Sequence, residues 1–376
     1  MKNNKIVIAR LWSRYTGSIP SRTPIILGID PEKYKTICIY LKKSSESANF
    51  FEDKGFKVFY ISNNKFFRIF NFAAIWKLAK ILRDEKVDIL HCHRHQSTVY
   101  GTIAAMIAGC QVVLGHVHGL NRSKAPRRRF INSLILRRID RILAVGESVK
   151  EDILKRNPFV NPQKIVSLGN SIDYRRFMDI EISKPEAKKR IGLDPDSIVF
   201  GTIGRFAPTK GHSYLIDAFA KVKSQVSKVQ LVFVGDGRLM DDIQLKVQQA
   251  GLDNCVYFVG RRDDVPQILR AMDVFVLPSI AEGLPRVLLE AMAAGVLCIG
   301  TNVGGVPDIL NGGEFGFLAL SQDSDALVKC MLESISLSEQ QRNEIIEKSQ
   351  QRIIDEYSHD VVRKKLENIY KEVILI

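Results

Sequence analysis

The sequence has no apolar run long enough to cross a membrane. Its longest apolar stretches, such as Leu231–Gly235 and Val274–Pro278, have the length of strands. The first residues, Met1–Lys5, lead directly into a strand-like run and lack the apolar segment of a secretory signal. These absences argue against an integral membrane protein and predict a protein that works in the cytoplasm.

Metal-binding motifs are also scarce. None of the six cysteines pair at the spacing of metal ligands, and four lie in or beside apolar runs, which is typical of buried reduced thiols. The nearest approach to a D-x-D motif, Asp194-Pro-Asp196, lies in a polar linker. His91-Cys-His-Arg-His95 alternates histidines, yet no carboxylate or thiolate cluster follows it at metal spacing. We therefore expect no bound metal and favour other roles for these histidines.

Charge is distributed unevenly along the chain. The 376 residues carry a net charge of +14. Residues 1–180 hold 32 Lys and Arg against 14 Asp and Glu, whereas residues 181–376 hold 23 against 27. A basic half joined to a mildly acidic half indicates that the first half faces a polyanion. The alternative, a lysine-rich chain whose charges are simply solvated, fits the composition equally well.

Strand and helix patterns alternate through both halves, and the chain ends in a helical stretch, Ser324–Val373. Two such runs predict an α/β protein with two Rossmann-like, doubly wound parallel sheets. The polar stretch Met178–Asp196, with two prolines, separates them. We predict domains at residues 1–180 and 181–376 that face an interdomain cleft, with a last helix that can cross back to the first domain. Ligands of such sheets bind beyond the carboxyl ends of the strands.

The loop Gly204–Gly211 follows a predicted strand of the second half. Its sequence, Gly-Arg-Phe-Ala-Pro-Thr-Lys-Gly, brings two cations, Arg205 and Lys210, to the carboxyl end of that strand. Cations there can hold a diphosphate and neutralise the charge that develops as it departs. Taken alone, the loop is slightly better explained as a turn with two exposed basic residues.

Two glutamates frame the start of a helix in the second half. Glu282 lies in the loop before the helix, and Glu290 lies on its second turn. Gly283 at the helix start offers backbone N–H groups to an anion or a sugar hydroxyl, and Glu290 can accept hydrogen bonds from a ribose diol. A solvated helix face is the alternative for Glu290, although its apolar neighbours argue against it. The loops Asn302–Asp308 and Gly235–Gly237 add glycines that a ligand can approach closely.

Together, these motifs resemble family 4 of the retaining glycosyltransferases, which has the GT-B architecture. The resemblance rests on the order G-R-x4-K-G, V-G-D-G, E-G-L-P-x-V-L-L-E-A-M-A-x-G and G-G-V-P-D. It covers Ile198–Ala319 strongly and the first half more loosely. It implies that the second domain binds the nucleotide-sugar donor and the first domain binds the acceptor.

The resemblance also implies roles for individual residues. Arg205 and Lys210 would bind the donor diphosphate, Glu282 would lie beside the transferred sugar, and Glu290 would bind the nucleotide ribose. Arg261 would lie in the loop that contacts the nucleobase. The full donor-binding set implied in this way is Gly204, Arg205, Lys210, Gly235, Arg261, Glu282, Gly283, Leu284, Glu290 and Gly304.

Three positions of the first half are assigned to the acceptor side through the same resemblance. His118 would face the donor sugar and hold one of its hydroxyls, with a capping role at a strand end as the alternative. His93 resembles a second family position. Gly17 lies in the loop after the first strand, where family members usually carry two glycines and this chain carries one. The catalytic set is then His118, Arg205, Lys210 and Glu282.

A basic stretch with interspersed apolar residues, Asn121–Arg141, holds eight Lys and Arg against Asp140. Such a segment can lie on an anionic lipid surface. The alternative is a helix that packs on its own sheet with solvated charges, and both can hold together. The predicted partners are a nucleotide-sugar, a glycan or lipid-linked acceptor, and an anionic membrane surface at the inner face of the cytoplasmic membrane.

The sequence therefore predicts retaining transfer of a hexose-type sugar from a nucleoside-diphosphate sugar to a hydroxyl of a lipid-linked, lipopolysaccharide or surface-polysaccharide acceptor. No cofactor and no metal are expected. The first half has no obvious carboxylate nucleophile for a double displacement, which favours front-face transfer. The main alternative is a nucleotide-sugar epimerase of the same architecture. The intact charged set disfavours a non-catalytic binding subunit, and the lack of a stacking motif disfavours a nucleic-acid binder.

Overall fold

The computed structural model describes residues 5–17, 23–62, 71–120 and 125–375, and the chain forms two compact units. Unit 1 comprises Met1–Gly169 together with His359–Ile376, and unit 2 comprises Asn170–Ser358. The division thus falls at Gly169 and Asn170, where the sequence interpretation placed it at 180 and 181. The end of the chain returns to unit 1.

Unit 1 is built on a seven-stranded parallel sheet with the order β3-β2-β1-β4-β5-β6-β7. Its strands are β1 (Ile6–Trp12), β2 (Tyr34–Lys42), β3 (Lys57–Ser62), β4 (Ile89–His93), β5 (Val112–Val117), β6 (Arg141–Ala144) and β7 (Ile165–Ser167). Its first helices are α1 (Thr23–Leu27), α2 (Phe50–Asp53), α3 (Phe72–Asp84), α4 (His95–Ala108), α5 (Pro126–Ile135) and α6 (Glu147–Arg156). The central strands are buried along most of their length, because helices cover both faces of such a sheet.

Unit 2 is built on a six-stranded parallel sheet with the order β10-β9-β8-β11-β12-β13. Its strands are β8 (Ile198–Ile203), β9 (Val229–Val234), β10 (Val256–Phe258), β11 (Val274–Leu277), β12 (Leu297–Thr301) and β13 (Phe317–Ala319). Its helices are α7 (Arg175–Met178), α8 (Lys184–Arg190), α9 (His212–Lys223), α10 (Met240–Gln249), α11 (Val265–Arg270), α12 (Arg286–Ala293), α13 (Val306–Ile309), α14 (Ser324–Ser336) and α15 (Glu339–Arg352). The last helix, α16 (His359–Ile374), belongs to unit 1.

Both sheets reverse their strand order at one point, and this confirms the predicted class of two doubly wound α/β sheets. In unit 1 the reversal lies between β1 and β4, and in unit 2 it lies between β8 and β11. Right-handed crossovers place the helices before and after a reversal on opposite faces of the sheet. The carboxyl ends of the strands at the reversal are therefore left open, and ligands bind there.

Two structural features concern the cysteines and the length of the apolar helices. Five of the six cysteines are buried, and none of the six forms a disulfide within the described residues. Burial raises the pKa of Cys38 to about 12, so its thiol stays protonated near neutral pH. In the part of the chain that the structure describes, no helix is both long enough and apolar enough to span a bilayer.

Candidate active site

Lys210 and Glu282 form an ion pair that joins the loops at the reversal of unit 2. Lys210 Nζ lies 2.5 Å from Glu282 Oε1, and Ser279 Oγ donates to the same oxygen at 2.6 Å. The loop after β8 carries the lysine, and the loop after β11 carries the serine and the glutamate. An ammonium has three donors and a carboxylate has two acceptor oxygens, so both groups retain capacity for a ligand. Two predicted residues from separate motifs are thus brought together.

Arg205 is the second cation of the same loop, and its side chain is exposed. It forms no ion pair with any other residue that the structure describes. Gly204 N–H donates to Val234 O at 2.9 Å, and Gly235 N–H donates to Gly260 O at 2.8 Å, so these bonds tie together the loops after β8, β9 and β10. The guanidinium is therefore carried on a fixed backbone and is available to an anion.

Two of the predicted glycines are explained by packing between loops. A Cβ on Gly304, whose φ is +55°, would lie 1.9 Å from Glu282 O, and the neighbouring Gly305 N–H donates to Gly283 O at 2.7 Å. A Cβ on Gly235 would lie 2.0 Å from Gly204 O. The sequence interpretation gave these glycines a role in ligand approach. In the structure they allow the backbone contacts that shape the loops beside Lys210 and Glu282.

Glu290 lies on the second turn of α12 and is mostly buried, so it is not a solvated face. Burial raises the pKa of its carboxyl, while Arg286 and Arg176 act in the opposite direction. Arg286 Nη2 lies 3.4 Å from Glu290 Oε1. A buried carboxylate with only a long contact to a cation retains acceptor capacity, which a ribose diol could use.

Asn170 was not among the predicted donor residues, yet it fixes the start of the α12 segment. Its Nδ2 donates to Leu284 O at 2.6 Å, so the Gly283–Leu284 backbone is tied to the first residues of unit 2. The sequence signal was the pattern Gly169-Asn-Ser-Ile-Asp173, which follows β7 and resembles a family motif. Ser279 was missed as well, because a serine after a strand carries no distinctive spacing.

Arg261, the predicted nucleobase contact, makes no hydrogen bond or ion pair with Lys210, Glu282 or Glu290 among the described residues. It is exposed, whereas its neighbour Arg262 pairs with both oxygens of Asp264 at 2.8 and 2.7 Å. A cavity of about 830 Å³ lies close by, lined among others by Arg176, Asp263 and Asp264. None of the predicted donor residues lines it, so the cavity adds nothing to the assignment of Arg261.

Unit 1 holds a stack of histidines at the carboxyl ends of β4 and β5. Because β4 continues to His93, His91 and His93 project to the same face, with their ring centroids 4.4 Å apart. His93 is paired in register with His116, and His116 stacks on His118 at 4.3 Å. His95 does not join them, since it begins α4 and its Nε2 lies 3.0 Å from Asn132 Oδ1. His118 is half-buried, and the other three stacked rings are buried.

A hydrogen-bond chain runs through the buried part of this stack. Arg10 Nη2 donates to the Tyr370 hydroxyl at 2.9 Å, and that hydroxyl lies 2.8 Å from His91 Nδ1. Since the guanidinium can only donate, the hydroxyl hydrogen is left for His91 Nδ1. The neutral His91 ring then carries its proton on Nε2 and donates to His116 Nδ1 at 3.2 Å. One residue of α16 thereby sets the tautomers of two histidines.

The same rings form the one group of metal-ligand type found among the described residues. Nitrogens of His91, His93 and His116 all lie within 4.8 Å of one another. Both nitrogens of His91 already serve the hydrogen-bond chain, and the fully buried guanidinium of Arg10 bonds to the same hydroxyl as His91. A cation beside that charge would be repelled. We therefore interpret the cluster as a hydrogen-bonded stack, and the absence of a metal stays a prediction.

The loop after β1 completes the reversal of unit 1. Trp12, the last residue of β1, stacks on His93 at 4.9 Å and on Tyr40 at 5.2 Å, so aromatic rings surround the carboxyl end of this strand. Gly17, at the end of the described part of that loop, has a φ of +80°. Arg94, between β4 and α4, has φ 74° and ψ 164°, a conformation that residues other than glycine rarely adopt. Backbone strain of this kind is concentrated at functional sites. No pattern in the sequence predicted it at Arg94.

The predicted basic stretch begins outside the described residues, which exclude Arg122 and Lys124. The part that is described includes α5, where Arg127, Arg128 and Arg129 are exposed together with Phe130. On the inner side of α5, Asn132 is buried and donates to Asn157 Oδ1 at 3.1 Å. The helix thus packs on its own unit and also presents a basic surface. The two interpretations of the sequence, a helix packed on its sheet and a segment with a basic face, hold together.

Both halves of the chain match known glycosyltransferase families. Residues 183–352 match the model of the glycosyl transferases group 1, and residues 43–176 match that of glycosyltransferase family 4. The chain is 32% identical to the UDP-Gal:α-D-GlcNAc-diphosphoundecaprenol α-1,3-galactosyltransferase of Escherichia coli, covering 68% of each chain. It is 28% identical to the N-acetyl-α-D-glucosaminyl L-malate synthase of Bacillus anthracis, covering 81% of this chain and 80% of that one. The structure of Anabaena HepE in complex with UDP and glucose superposes with a TM-score of 0.82 at 18% identity, covering 98% and 100% of the two chains.

Proposed function

The chain belongs to the group 1, family 4 glycosyltransferases of GT-B architecture, and from that premise we propose that it transfers a hexose-type sugar, with retention, from a nucleoside-diphosphate sugar to a hydroxyl of a lipid-linked or surface-polysaccharide acceptor. The observation that carries the proposal is the Lys210–Glu282 pair with Arg205 beside it on the same loop, at the carboxyl ends of β8 and β11. Two cations at this place suit a diphosphate leaving group.

The proposed step breaks the bond between the anomeric carbon and the diphosphate oxygen and forms one between that carbon and the acceptor oxygen. The acceptor's proton passes to the departing diphosphate oxygen on the same face of the sugar. Arg205 and Lys210 neutralise the charge that builds up on the diphosphate, so no divalent ion is needed for that purpose. Front-face transfer of this kind accounts for retention without a carboxylate nucleophile.

The remaining residues would bind and orient. Glu282, held by Lys210 and Ser279, would accept a hydroxyl of the transferred sugar, and Glu290 would accept the ribose diol. Arg261 would contact the nucleobase. His118, at the half-buried end of the histidine stack, would hold a sugar hydroxyl, and its ring would be supported by the buried ring of His116.

A membrane-bound acceptor fits the charge of unit 1. The Escherichia coli relative is named for a diphosphoundecaprenol acceptor, which is a lipid. The exposed Arg127, Arg128 and Arg129 of α5 would draw the protein to the anionic face of a membrane, each basic residue contributing about 1 kcal/mol near such a surface. We therefore propose peripheral association at the inner face of the cytoplasmic membrane.

The test is release of nucleoside diphosphate from a panel of nucleotide-sugars, with and without membranes or lipid-linked acceptors. The panel is first narrowed by the thermal stabilisation that each nucleotide-sugar produces. A transferase releases nucleotide in proportion to the acceptor supplied and leaves a glycosylated lipid with the anomeric configuration of the donor. Interconversion of the donor sugar without an acceptor would instead support the epimerase. An inverted product would refute the retaining step.

A further inference from the structure

The outer helices of unit 1 expose most of the large apolar side chains found on the surface. Of the nine exposed large hydrophobic residues in the described part of the chain, five lie on three consecutive helices, α3, α4 and α5. They are Phe72, Trp76, Met106, Phe130 and Leu134. Trp76 is 61% exposed and Phe72 is 73% exposed, although such side chains are normally covered. Their concentration on one helix layer calls for a partner.

The three helices form one continuous layer rather than scattered elements. Arg83 Nη2, near the end of α3, donates to Ile107 O of α4 at 2.8 Å. His95 at the start of α4 is hydrogen-bonded to Asn132 of α5. On α3 the buried residues Ile75, Leu78, Ala79 and Leu82 face the sheet, so Phe72, Trp76 and Lys80 share the opposite face at four-residue spacing. The aromatic rings of α3 are therefore held outward.

The charge of this layer is almost entirely positive. Lys80 and Arg83 of α3 and Arg127, Arg128 and Arg129 of α5 are all exposed. Across α3, α4 and α5, all of which the structure describes, Asp84 is the one acidic residue. A second copy of this chain packed on the same face would bring basic side chains against basic ones, with no acidic counterpart for self-complementarity. An anionic bilayer offers both an apolar interior and negative headgroups.

We propose that the outer face of α3–α5 is the membrane-docking surface, and that Trp76 and Phe72 insert into the headgroup region of an anionic bilayer. Tryptophan suits this position because its ring is apolar and its N–H can hydrogen-bond at the interface. The basic side chains of α3 and α5 attract the lipid headgroups, and the rings then hold the protein there. The inference rests on the proposed membrane association and adds to it a second helix and a mode of contact beyond electrostatic attraction.

The chain's two tryptophans make insertion directly measurable. Trp12 is half-buried against His93, so Trp76 is the exposed reporter. The full-length protein is mixed with vesicles of phosphatidylglycerol and phosphatidylethanolamine, with pure phosphatidylcholine vesicles for comparison. We expect a blue shift of tryptophan emission and quenching by lipids brominated on the upper acyl chain, with anionic vesicles only. Trp76→Phe should abolish both signals.

Sedimentation with the same vesicles separates insertion from attraction by charge. Replacing Trp76 and Phe72 with Ser should weaken binding to anionic vesicles at least tenfold even at low salt. The matched control is Leu245→Ser, which removes an exposed large side chain (53%) from α10 of unit 2 and should leave binding unchanged. Arg127, Arg128 and Arg129 changed to Ser should make the remaining binding less sensitive to salt.

Each contrary result has a distinct meaning. Vesicle binding with unchanged Trp76 emission and no bromolipid quenching would overturn insertion while leaving charge-driven association intact. Concentration-dependent self-association that Trp76→Ser abolishes would identify the face as a contact between copies and refute the proposal. Failure to bind anionic vesicles in a protein that still transfers sugar to a soluble acceptor would refute the membrane-docking surface. The proposed transferase function would stand.

Discussion

The two sheets reverse their strand order in the same way, yet the side chains at the two reversals differ in kind. In unit 2 the reversal is charged, with Lys210 paired to Glu282 and Arg205 exposed nearby. In unit 1 it is a stack of imidazole rings, in which the fully buried Arg10 is linked to His91 through the hydroxyl of Tyr370. One topology thus supplies two different environments. The first suits a ligand that carries its own charge, and the second suits a neutral, hydroxyl-rich one.

The largest expected effect comes from removing the cations of unit 2. Lys210→Ala and Arg205→Ala should each raise the barrier to transfer by about 2–4 kcal/mol, by analogy with the loss of one donor to a developing anion. Steady-state kinetics measure the effect. Lys246→Ala is the matched control, since it breaks another lysine–carboxylate pair of unit 2, with Asp217 at 2.6 Å. Turnover equal to wild type in both Lys210→Ala and Arg205→Ala would show that the cations of unit 2 do not stabilise the leaving group.

In unit 1 the expected effect is on order and stability. Tyr370→Phe leaves Arg10 and His91 without their shared partner and should cost about 1–3 kcal/mol of unfolding free energy, measured by urea denaturation. The ¹⁵N shifts of the His91 ring should show the loss of its fixed tautomer. Tyr34→Phe removes a neighbouring hydroxyl that has no hydrogen-bond partner among the described residues and should cost less. Equal costs and unchanged His91 shifts would show that the chain of hydrogen bonds does not order the stack.

The two glutamates of unit 2 should separate in kinetics. Glu282→Gln should lower kcat more than it weakens donor binding, because we propose that this residue lies beside the transferred sugar. Glu290→Gln should mainly weaken nucleotide binding, since a ribose contact exists in the ground and transition states alike. Calorimetry with the free nucleoside diphosphate distinguishes them. Loss of that binding in Glu282→Gln with normal binding in Glu290→Gln would reverse the two roles.

Glu290 should also shape the dependence of stability on pH. Burial raises the pKa of its carboxyl, so the folded state favours the protonated form. Its contribution to stability is then present below the pKa of an unfolded glutamate and is lost as pH rises through the higher folded pKa. Glu290→Gln stays neutral throughout, and its Tm relative to wild type should be higher at pH 7 than at pH 4. A difference that does not change with pH would contradict this account of the buried carboxyl.

The smallest expected effect is that of a chelator. Because the charge on the leaving group is assigned to side chains, activity should persist in EDTA within experimental error. Complete loss that magnesium or manganese restores would place a divalent ion in unit 2. Zinc-specific restoration that Tyr370→Phe alters would instead point to the histidines of unit 1.

The sequence predicted unit 2 more fully than unit 1 for a physical reason. Motifs such as Gly204–Gly211 and Glu282–Glu290 are local, and parallel strands carry their ends to one edge of the sheet, where the structure pairs Lys210 with Glu282. The histidine stack depends on contacts across the whole chain, because Tyr370 lies 279 residues from His91. A tyrosine on a terminal helix carries no local signal for such a role. The strain at Arg94 had no sequence signal, since it is a property of backbone geometry. The pattern around Asn170 resembled a family motif but did not specify the hydrogen bond from its side chain to Leu284 O.

Titration calorimetry of a nucleoside diphosphate into the protein tests the central claim most directly, namely that the Lys210–Glu282 loop and Arg205 form a diphosphate site in unit 2. The wild-type protein should bind the diphosphate more tightly than the nucleoside without phosphates, in buffer containing EDTA. Replacing both Arg205 and Lys210 with Ala should weaken diphosphate binding at least tenfold and leave nucleoside binding nearly unchanged. Equal diphosphate affinity in the wild type and the double variant would contradict the account.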